Sequence, residues 1–333
     1  DTGFIRTRTS YPWQMRAWPN QAKKDDDMRR YLLKRLVLLV PVLWGVATLV
    51  FAVTNIIPGD PVDLMLGETA RPAQREVLRE ALGLNRPLAV QYRDYLTGLL
   101  QGDMGTSLHK KRPVVELLAE RIGASAELTL AALAIALLIA LPLGILAARK
   151  AGSGTDLAAG GLAVLGASMP VFWLGPLLII FFSINLGWLP VSGRSSPLSL
   201  ILPAFTLGMA LSAILMRMTR SSLLEVLPQD FLATARAKGL SEGRVLWLHA
   251  LRNACLPLIT ILSLQLGALL SGAIITETVF AWPGVGRLTI QAIAARDYPL
   301  VQGCVLFIAF VYVAGNLLAD IAYAWLDPRV RLD

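Results

Sequence analysis

Long runs of apolar residues, separated by polar stretches, limit what this chain can fold into. A helix needs about 20 residues, at about 1.5 Å per residue, to cross the hydrocarbon core of a bilayer. Six runs meet this length: about Leu36–Ile57, Leu128–Ala148, Leu157–Phe182, Ser199–Met218, Leu256–Ile275 and Leu300–Trp325. Because 55% of the residues are hydrophobic and only 16% are charged, the sequence predicts an all-α polytopic membrane protein with six transmembrane helices.

Cations cluster at the ends of these runs and predict the orientation of the chain. They precede the first run and follow the second, fourth and sixth: Arg29, Arg30, Lys34, Arg35, Arg149, Lys150, Arg217, Arg220, Arg329 and Arg331. All of them lie on one side of the membrane if both termini are cytoplasmic, as the positive-inside rule requires. The net charge of +8 is therefore interpreted as a topology signal. No basic patch interleaved with aromatic residues points to nucleic acid.

Four regions are predicted along the chain. Residues 1–27 are polar and have no apolar signal-peptide core, so a disordered, dispensable extension is expected there. Residues 28–57 form the first transmembrane helix. Residues 58–122 form a small helical subdomain on the extracytoplasmic side, with helices at Ala73–Leu82 and Leu88–Leu100 that end near Gly83 and Gly102. Residues 123–333 form a core with helices 2–6 and a cytoplasmic loop at 220–255.

The stretch Asp230–Pro257 lies between the fourth and fifth runs and is predicted to form a helical elbow. Gly239 favours a break between two short helices, because glycine adopts left-handed backbone angles without a Cβ clash, and Ser241 is placed to cap the second helix. Apolar anchors follow at helical spacing: Phe231, Leu232, Val245, Leu248 and Leu251. From the residues alone, both a docking surface for another protein and a solvated basic loop that orients its neighbours remain open.

Ionisable residues are scarce in the apolar runs, which narrows the possible transport mechanisms. Glu127, Glu277 and Asp320 come closest, and all three fall near predicted span ends. Each is interpreted either as a helix cap or interfacial residue, or as part of a proton relay. No acid or histidine lies in mid-membrane, which argues against a proton-driven secondary transporter.

The fifth run carries small residues at four-residue spacing, a pattern that permits close helix approach. Tight packing inside the subunit and a position beside a translocation pathway both fit this pattern. The candidate pathway residues are Ser263, Gln265, Gly267, Ser271 and Glu277. At the base of the run, Pro257 removes a helix hydrogen bond, so it joins Gly239 as a candidate hinge.

The sequence shows no catalytic or metal-binding pattern. The sequence contains no GxxxxGK[ST] motif and no GxSxG elbow. His109 and His249 lie on opposite predicted sides of the membrane, so no metal site is expected. Cys255 and Cys304 are likewise placed at opposite faces, so no disulfide is expected. The chain is therefore predicted not to be an enzyme and to hold no cofactor of its own.

The elbow resembles a known motif. ThrAlaArgAlaLysGlyLeu at Thr234–Leu240, HisAlaLeuArgAsnAla at His249–Ala254 and LeuPro at Leu256–Pro257 resemble the "EAA" loop of permease subunits in bacterial ABC importers. The glutamate that gives the loop its name would fall at Ala233, and Thr234 stands where its first alanine would be. The peptide-importer branch of this family commonly shows the same departure.

The resemblance extends from about Arg29 to Leu332, and it is to the dipeptide, oligopeptide and nickel branch of these permeases. The matching segments are IleProGlyAspPro (57–61), LeuGlyLeuAsnArgPro (82–87), GlnGlyAspMetGlyThrSer (101–107), ArgMetThrArgSerSerLeuLeuGluValLeu (217–227), TrpProGlyValGlyArg (282–287) and ArgAspTyrPro (296–299). The order of these segments along the chain makes the resemblance specific.

This resemblance implies a type I ABC importer permease fold in the bacterial inner membrane, which moves short peptides by alternating access. It implies a second homologous permease, two P-loop ATPase subunits that bind ATP and Mg, an extracytoplasmic solute-binding protein and membrane lipid as partners, and no nucleic acid. It also implies that the coupling loop meets the ATPase through Asp230, Thr234, Ala235, Arg236, Ala237, Lys238, Gly239 and Arg244.

Other functions remain possible at this point. Within the same family the cargo is a short peptide, or alternatively glutathione, a nickel chelate or another small solute. An ATP-independent channel or secondary transporter is a rival from another class. A membrane scaffold or receptor subunit, whose elbow recruits a cytoplasmic protein without moving solute, is a third.

Overall fold

The computed structural model describes residues 21–56, 62, 66, 71–81 and 83–326. Within these ranges, the side chains at 21–34, 36, 81, 256, 263, 264, 266–268, 270–272 and 319–326 lie outside the description. The first 20 residues of the expected extension, the predicted turn at 57–61, the side chain of Asp320, and Arg329 and Arg331 are thus outside the described residues.

The described part of the chain is helical, and its one β feature is an isolated bridge between Thr106 and Pro113. The α-helices are α1 (Gln21–Ile56), α2 (Pro72–Ala81), α3 (Leu88–Leu100), α4 (Val114–Arg149), α5 (Gly154–Ser168), α6 (Val171–Leu178), α7 (Ile201–Val226), α8 (Asp230–Ala237), α9 (Glu242–Arg244), α10 (Leu251–Val279), α11 (Val285–Ala294) and α12 (Tyr298–Leu326). Two π-helical segments, Ile179–Asn185 and Val245–Ala250, and a 3₁₀ turn, Pro197–Leu200, join some of them. The predicted all-α class is confirmed.

Four described segments are long and apolar enough to cross a membrane: Val37–Ile56, Val114–Arg149, Pro197–Val226 and Tyr298–Leu318. A fifth is formed if Gly154–Ser168 and Val171–Asn185 are counted together. The remaining predicted span, Leu256–Ile275, falls within α10, where several side chains are outside the description. A polytopic membrane protein is therefore confirmed, and the count of six spans stays a prediction.

The third apolar run does not form the single straight helix expected over Leu157–Phe182. α5 and α6 are bent by 102° at Met169 and Pro170. Met169 is extended, with φ −80° and ψ 117°, because the residue before a proline is pushed away from helical angles. Pro170 also has no N–H to continue the helical ladder. The SerMetPro sequence at 168–170 was the signal for this break.

Two helices begin earlier than predicted. α1 starts at Gln21, seven residues before the predicted start of the first transmembrane helix at residue 28. α4 starts at Val114, directly after Pro113. Its first turns are bridged by Arg112, which contacts Glu120 at 2.6 Å. The polar stretch predicted at 58–122 therefore includes the start of α4.

The two small helices between α1 and α4 lie close to their predicted positions. α3 has the predicted bounds, and the preceding turn contains Gly83 with φ +68°. α3 is fastened to α1, since the Tyr92 and Thr48 hydroxyls are hydrogen-bonded at 2.6 Å. The rings of Tyr95 and Phe51 are stacked with centroids 5.7 Å apart. This helical subdomain is therefore packed against one end of α1.

α4 and α7 form the tightly packed centre of the fold. A Cβ added to Gly208 would lie 2.5 Å from the carbonyl oxygen of Ala132, and one added to Gly144 would lie 2.6 Å from the Cβ of Thr219. These two close approaches are about 12 residues apart on α4, so they hold the helix pair together over several turns. Small residues in membrane helices allow such backbone contact.

Candidate functional site

The elbow between α7 and α10 has the predicted break. α8 ends at Ala237, and Gly239 adopts φ +78°, which confirms the left-handed turn. Ser241 precedes α9, but its side chain makes no capping hydrogen bond, so the predicted cap is wrong. The N–H of Val245 instead donates to the Ser241 carbonyl at 3.0 Å, because the chain continues directly into a helical turn.

A buried apolar cluster fixes the elbow to the ends of α4 and α7. We call it the elbow cluster. Leu232, Ala235 and Val245 from the elbow are buried in it. Its other buried members are Ile145, Ala148, Leu223, Val226, Leu246, Ala250, Leu251 and Ala254. Burial of a side chain of this kind stabilises a contact by about 1.5–3 kcal/mol. The elbow is therefore a packed element, which argues against a loosely solvated loop.

The remaining predicted contact residues lie on the exposed side of the elbow. These are Asp230, Thr234, Arg236, Ala237, Lys238, Gly239 and Arg244. The Thr234 hydroxyl donates to the Asp230 carbonyl at 3.0 Å, and Arg236 spans the break to contact Glu242 at 2.8 Å. Ala235 differs from them because it is buried in the elbow cluster. The predicted set thus consists of exposed residues on and next to α8 and of one buried anchor.

Two of the predicted apolar anchors are not anchors. Phe231 is 39% exposed and Leu248 is 61% exposed, and the neighbouring Trp247 is 58% exposed. The π-helical segment Val245–Ala250 has a longer repeat than an α-helix, so Leu248, which was chosen at α-helical spacing, rotates away from the cluster. Sequence reasoning missed Trp247 for this reason. Phe231, Trp247 and Leu248 are thus exposed apolar residues of an elbow that also carries exposed cations.

The second candidate hinge, Pro257, is an exposed residue inside α10. The π-helical segment that departs from regular geometry lies just N-terminal to it. The Asn253 side chain donates to the His249 carbonyl at 2.8 Å. Pro257 has no N–H to donate to the Asn253 carbonyl, four residues earlier. The connection between the elbow and α10 is thus irregular on both sides of Arg252.

The candidate pathway residues lie along α10, and the structure does not bring all of them together. The side chains of Ser263, Gly267 and Ser271 are outside the description, and Gln265 is half-buried. Glu277 lies about 18 Å further along the helix axis. It is therefore separated from Gln265 by several turns, and it is fully buried.

Glu277 makes the contacts of a helix cap. Its carboxylate accepts hydrogen bonds from the Ser125 hydroxyl at 2.6 Å and from the Arg287 N–H at 2.9 Å. Arg287 lies in the first turn of α11, where free N–H groups and the helix dipole favour an anion. Of the two interpretations offered for Glu277, these contacts favour the cap over a proton relay.

The turn before α11 is held against α4. The Trp282 indole N–H donates to the Ala124 carbonyl at 2.8 Å, and the Val285 N–H donates to the Ser125 hydroxyl at 2.9 Å. Trp282 is completely buried, so its ring packs inside the protein. The TrpProGlyValGlyArg segment is therefore an ordered connection between α10 and α11.

A second contact at this end of the molecule, which we call the latch, was missed by sequence reasoning. It joins residues 107–109 to Asp297, just before α12. The Ser107 hydroxyl donates to the Asp297 carboxylate at 2.5 Å, and the N–H groups of Leu108 and His109 donate to it at 3.0 and 3.3 Å. Ser107 and Asp297 belong to the GlnGlyAspMetGlyThrSer and ArgAspTyrPro segments. The sequence identifies both segments, but it does not indicate that they are in contact.

A buried apolar cluster lies next to the latch. Val114, Leu117 and Leu118 at the start of α4 are buried against α11 and α12. Their buried partners are Val285, Leu288, Ala292, Leu300 and Cys304. The latch and the elbow cluster thus lie at opposite ends of α4.

Most of the chain matches a known protein family. Residues 140–332 match the family described as "Binding-protein-dependent transport system inner membrane component", and residues 28–129 match its N-terminal component. The chain is 44% identical to the dipeptide transport system permease protein DppB of Escherichia coli K12, over 91% of this chain and 99% of that protein. It is also 44% identical to the glutathione transport system permease protein GsiC of Salmonella choleraesuis, with the same two coverages.

Among solved structures, the fold is similar to a chain of the MetNI methionine ABC transporter in an inward-facing conformation. The TM-score is 0.52 at 19% sequence identity, and the match covers 63% of this chain and 96% of that chain. This likeness concerns the fold and confirms the arrangement expected of an ABC importer permease.

Proposed function

Since the chain belongs to the family of binding-protein-dependent transport system inner membrane components, we propose that it is the permease subunit of an ATP-driven importer of short peptides. The cargo class is supported by the dipeptide and glutathione permeases to which the chain is 44% identical. Dipeptides and glutathione are both short, peptide-like molecules. Within this class, the dipeptide relatives favour unmodified peptides over a nickel chelate.

The observation that carries the proposal is the construction of the elbow. Its buried residues anchor it in the elbow cluster, and its exposed residues include both apolar side chains, Phe231, Trp247 and Leu248, and cations. A surface with apolar and cationic side chains suits a partner groove that has apolar walls and acidic edges. We assign this partner as a P-loop ATPase.

The elbow would transmit the closure of the ATPase to the membrane helices. Asp230, Thr234, Arg236, Ala237, Lys238 and Arg244 are the proposed contact residues, and Ala235 holds the elbow in place. Because α8 packs against both α4 and α7 through the elbow cluster, a push on the elbow is delivered to both helices. Gly239 and Pro257 are the proposed hinges. Glu277 serves in this scheme as a cap, and Gln265 remains a proposed pathway residue with Ser263, Gly267 and Ser271.

The assembly and orientation follow from the same proposal. We place both termini and the elbow in the cytoplasm, and the helical subdomain between α1 and α4 outside it. The partners are a second homologous permease, two ATPase subunits and an extracytoplasmic solute-binding protein. ATP and Mg would be bound by the ATPase subunits, and this chain would hold no cofactor.

Co-purification of the tagged chain in mild detergent tests this proposal. The expected result is that a second permease and P-loop ATPases accompany the wild-type chain, and that the ATPases are depleted with Gly239→Val. That variant forces a β-branched residue into φ +78°, at a cost of about 1–3 kcal/mol. Gly243→Val is the matched control, because a side chain at either glycine meets open space and only Gly239 has a positive φ.

Two results would contradict the proposal. One is a chain that purifies alone, or as a homo-oligomer, under conditions that keep other membrane complexes intact. The other is uptake of a labelled dipeptide that persists without the ATPases and stops with a proton uncoupler. The latter would favour a secondary transporter.

A further inference from the structure

An ion pair near the elbow joins α5 to α7. The Nε and Nη2 atoms of Arg220, on α7, donate to the two carboxylate oxygens of Asp156, in the first turn of α5, at 2.6 and 2.7 Å. The Gly152 N–H donates to the same carboxylate at 2.9 Å. We call these contacts the clamp. Because a planar guanidinium makes two hydrogen bonds to one carboxylate, the clamp fixes the direction of the contact as well as its length.

The clamp is more buried than a surface ion pair. The Asp156 side chain is 9% exposed and that of Arg220 is 34% exposed, whereas those of the Arg112 and Glu120 pair are 46% and 48% exposed. Exposed pairs of the second kind contribute little to structure. A carboxylate as buried as Asp156 needs a charged partner, and removal of that partner is costly. The clamp is therefore expected to stay formed while neighbouring elements move.

The clamp lies beside the attachment of the elbow to α7. Thr219, the residue before Arg220, is the one that α4 approaches closely at Gly144. Leu223, one turn further along α7, is buried in the elbow cluster. The buried members of this cluster come from α4, α7, the elbow and α10, and none of the described ones comes from α5. The clamp is thus a polar link from α5 to the part of α7 that carries the elbow.

The rest of the contact between α5 and α7 is made by small residues. Ala159, Ala163 and Gly166 form one buried stripe with Asp156, and a Cβ added to Gly166 would lie 3.2 Å from the Cε atom of Met209 on α7. Apolar contacts have no preferred direction, and the hydrophobic effect does not drive helices together inside a membrane. A smooth stripe of this kind therefore permits α5 to shift along α7, and the clamp opposes such a shift.

α5 also leads to the opposite end of α10. After the bend at Met169 and Pro170, the chain continues into α6, where a Cβ added to Gly175 would lie 3.1 Å from Val279, the last residue of α10. The two halves of the bent span thus connect the clamp, near the first turns of α10, with the last turn of the same helix.

We propose that Asp156 and Arg220 are positioning residues for transport, which hold α5 in register with α7 so that a displacement of the elbow reaches α5 as well as α4 and α7. This inference rests on the proposed function, in which an ATPase moves the elbow. It adds a contact outside the elbow and outside the elbow cluster. Without the clamp, the ATPase still binds and hydrolyses ATP, but fewer peptides are moved for each ATP.

ATP hydrolysis and uptake of labelled dialanine, measured on the same proteoliposomes containing the full complex, test this proposal. Asp156→Asn keeps the size of the side chain and an oxygen for the Gly152 N–H, but it removes the charge that Arg220 binds. The ATPases are expected to co-purify with this variant and to hydrolyse ATP at the wild-type rate, while uptake per ATP falls several-fold. Arg220→Lys keeps the charge without the two-pronged geometry, so a smaller loss is expected.

Ser107→Ala is the matched control, because it also removes a hydrogen bond to a buried carboxylate but lies at the other end of α4. It is expected to lower thermal stability and to leave uptake per ATP unchanged. An equal fall in uptake and hydrolysis for Asp156→Asn and Arg220→Lys, or an unchanged ratio of the two, would overturn the proposal.

A cross-link tests the register of α5 without reference to transport. Gly166→Cys combined with Met209→Cys places two thiols in contact across α5 and α7, and their oxidation by copper phenanthroline is followed by mass spectrometry. Addition of Asp156→Asn is expected to slow this disulfide formation, and an unchanged rate would overturn the proposed register. A wild-type complex that does not take up dialanine with ATP would contradict the proposed function instead, and the cross-linking rate would still decide whether the clamp holds α5.

Discussion

The Ser107 hydroxyl donates a 2.5 Å hydrogen bond to the carboxylate of Asp297, a residue 190 positions later in the chain. Both side chains are buried, with exposed fractions of 1%. The bond joins the segment after the helical subdomain to the corner between α11 and α12. The hydrogen bond therefore joins two parts of the chain that are far apart in the sequence.

Ser107→Ala is expected to weaken this latch. The substitution removes a hydrogen bond to a buried carboxylate, which costs about 1.5–3 kcal/mol. The thermal unfolding midpoint of the purified complex should fall accordingly. The same change at the adjacent, exposed Thr106 should have little effect. Identical midpoints for Ser107→Ala and the wild type would show that the latch does not contribute to stability.

Gly284→Ala is expected to disrupt the connection before α11. A Cβ at this position would collide with the Glu277 carboxylate, displacing it from the Ser125 hydroxyl and the Arg287 N–H. Loss of these charged hydrogen bonds costs about 1.5–3 kcal/mol each. Gly123→Ala is the control, since that Cβ would meet open space. Limited proteolysis of the 280–287 segment measures the effect, and equal cleavage of the two variants would refute it.

Gly208→Ala is expected to separate α4 from α7. The new methyl group would lie 2.5 Å from the Ala132 carbonyl oxygen, a backbone atom that cannot rotate away. Overpacking of this kind costs about 1–3 kcal/mol. Gly161→Ala on α5, where the space is open, should instead be neutral or mildly stabilising because alanine favours helix. Thermal unfolding of both variants decides the matter; a Gly208→Ala protein as stable as the control would contradict the packing.

The Tyr95 hydroxyl should give the complex a stability that declines in alkali. Burial raises its pKa from an ordinary value of 10.0 to about 12, so the folded state favours the protonated form. Below about pH 10 both states are protonated and no dependence is expected. Between about pH 10 and pH 12 the unfolded chain ionises first, and the folded state loses relative stability. Tyr95→Phe should lack this component when unfolding is followed against pH.

Tyr92→Phe is not expected to remove the alkaline decline, because the raised pKa belongs to Tyr95. Phenolate absorbance of the folded wild-type complex gives a second measurement. It should show no ionisation of Tyr95 near pH 10. An identical pH dependence for wild type and Tyr95→Phe would show that this residue does not carry the effect.

Features set by local chemistry were predictable from the sequence. The bounds of α3 and the positive φ of Gly239 follow from residues within a turn of each other, since helix propensity and glycine backbone freedom are local properties. The bend at Met169 and Pro170 is also local, but a long apolar run concealed it. The predicted cap is not formed, since the Ser241 side chain makes no capping hydrogen bond.

Features set by distant contacts were not predictable. The sequence shows Ser107 and Asp297 as separate motifs, and only the packing of α4 against α11 and α12 brings them together. Glu277 appeared as an ambiguous acid, because its partners Ser125 and Arg287 lie on other segments. The exposure of Trp247 depends on a π-helical turn, which has no simple residue signature. The stacking of the Tyr95 ring on Phe51 likewise requires α3 to be packed against α1.

α4 is a member of both apolar clusters: Val114 lies beneath the latch, and Ala148 lies in the elbow cluster. Along the helix axis these residues are about 50 Å apart. The close approaches at Gly208 and Gly144 hold α4 against α7 between these two ends. One continuous helix therefore connects the support of the elbow to the support of the latch, on opposite sides of the tightly packed centre.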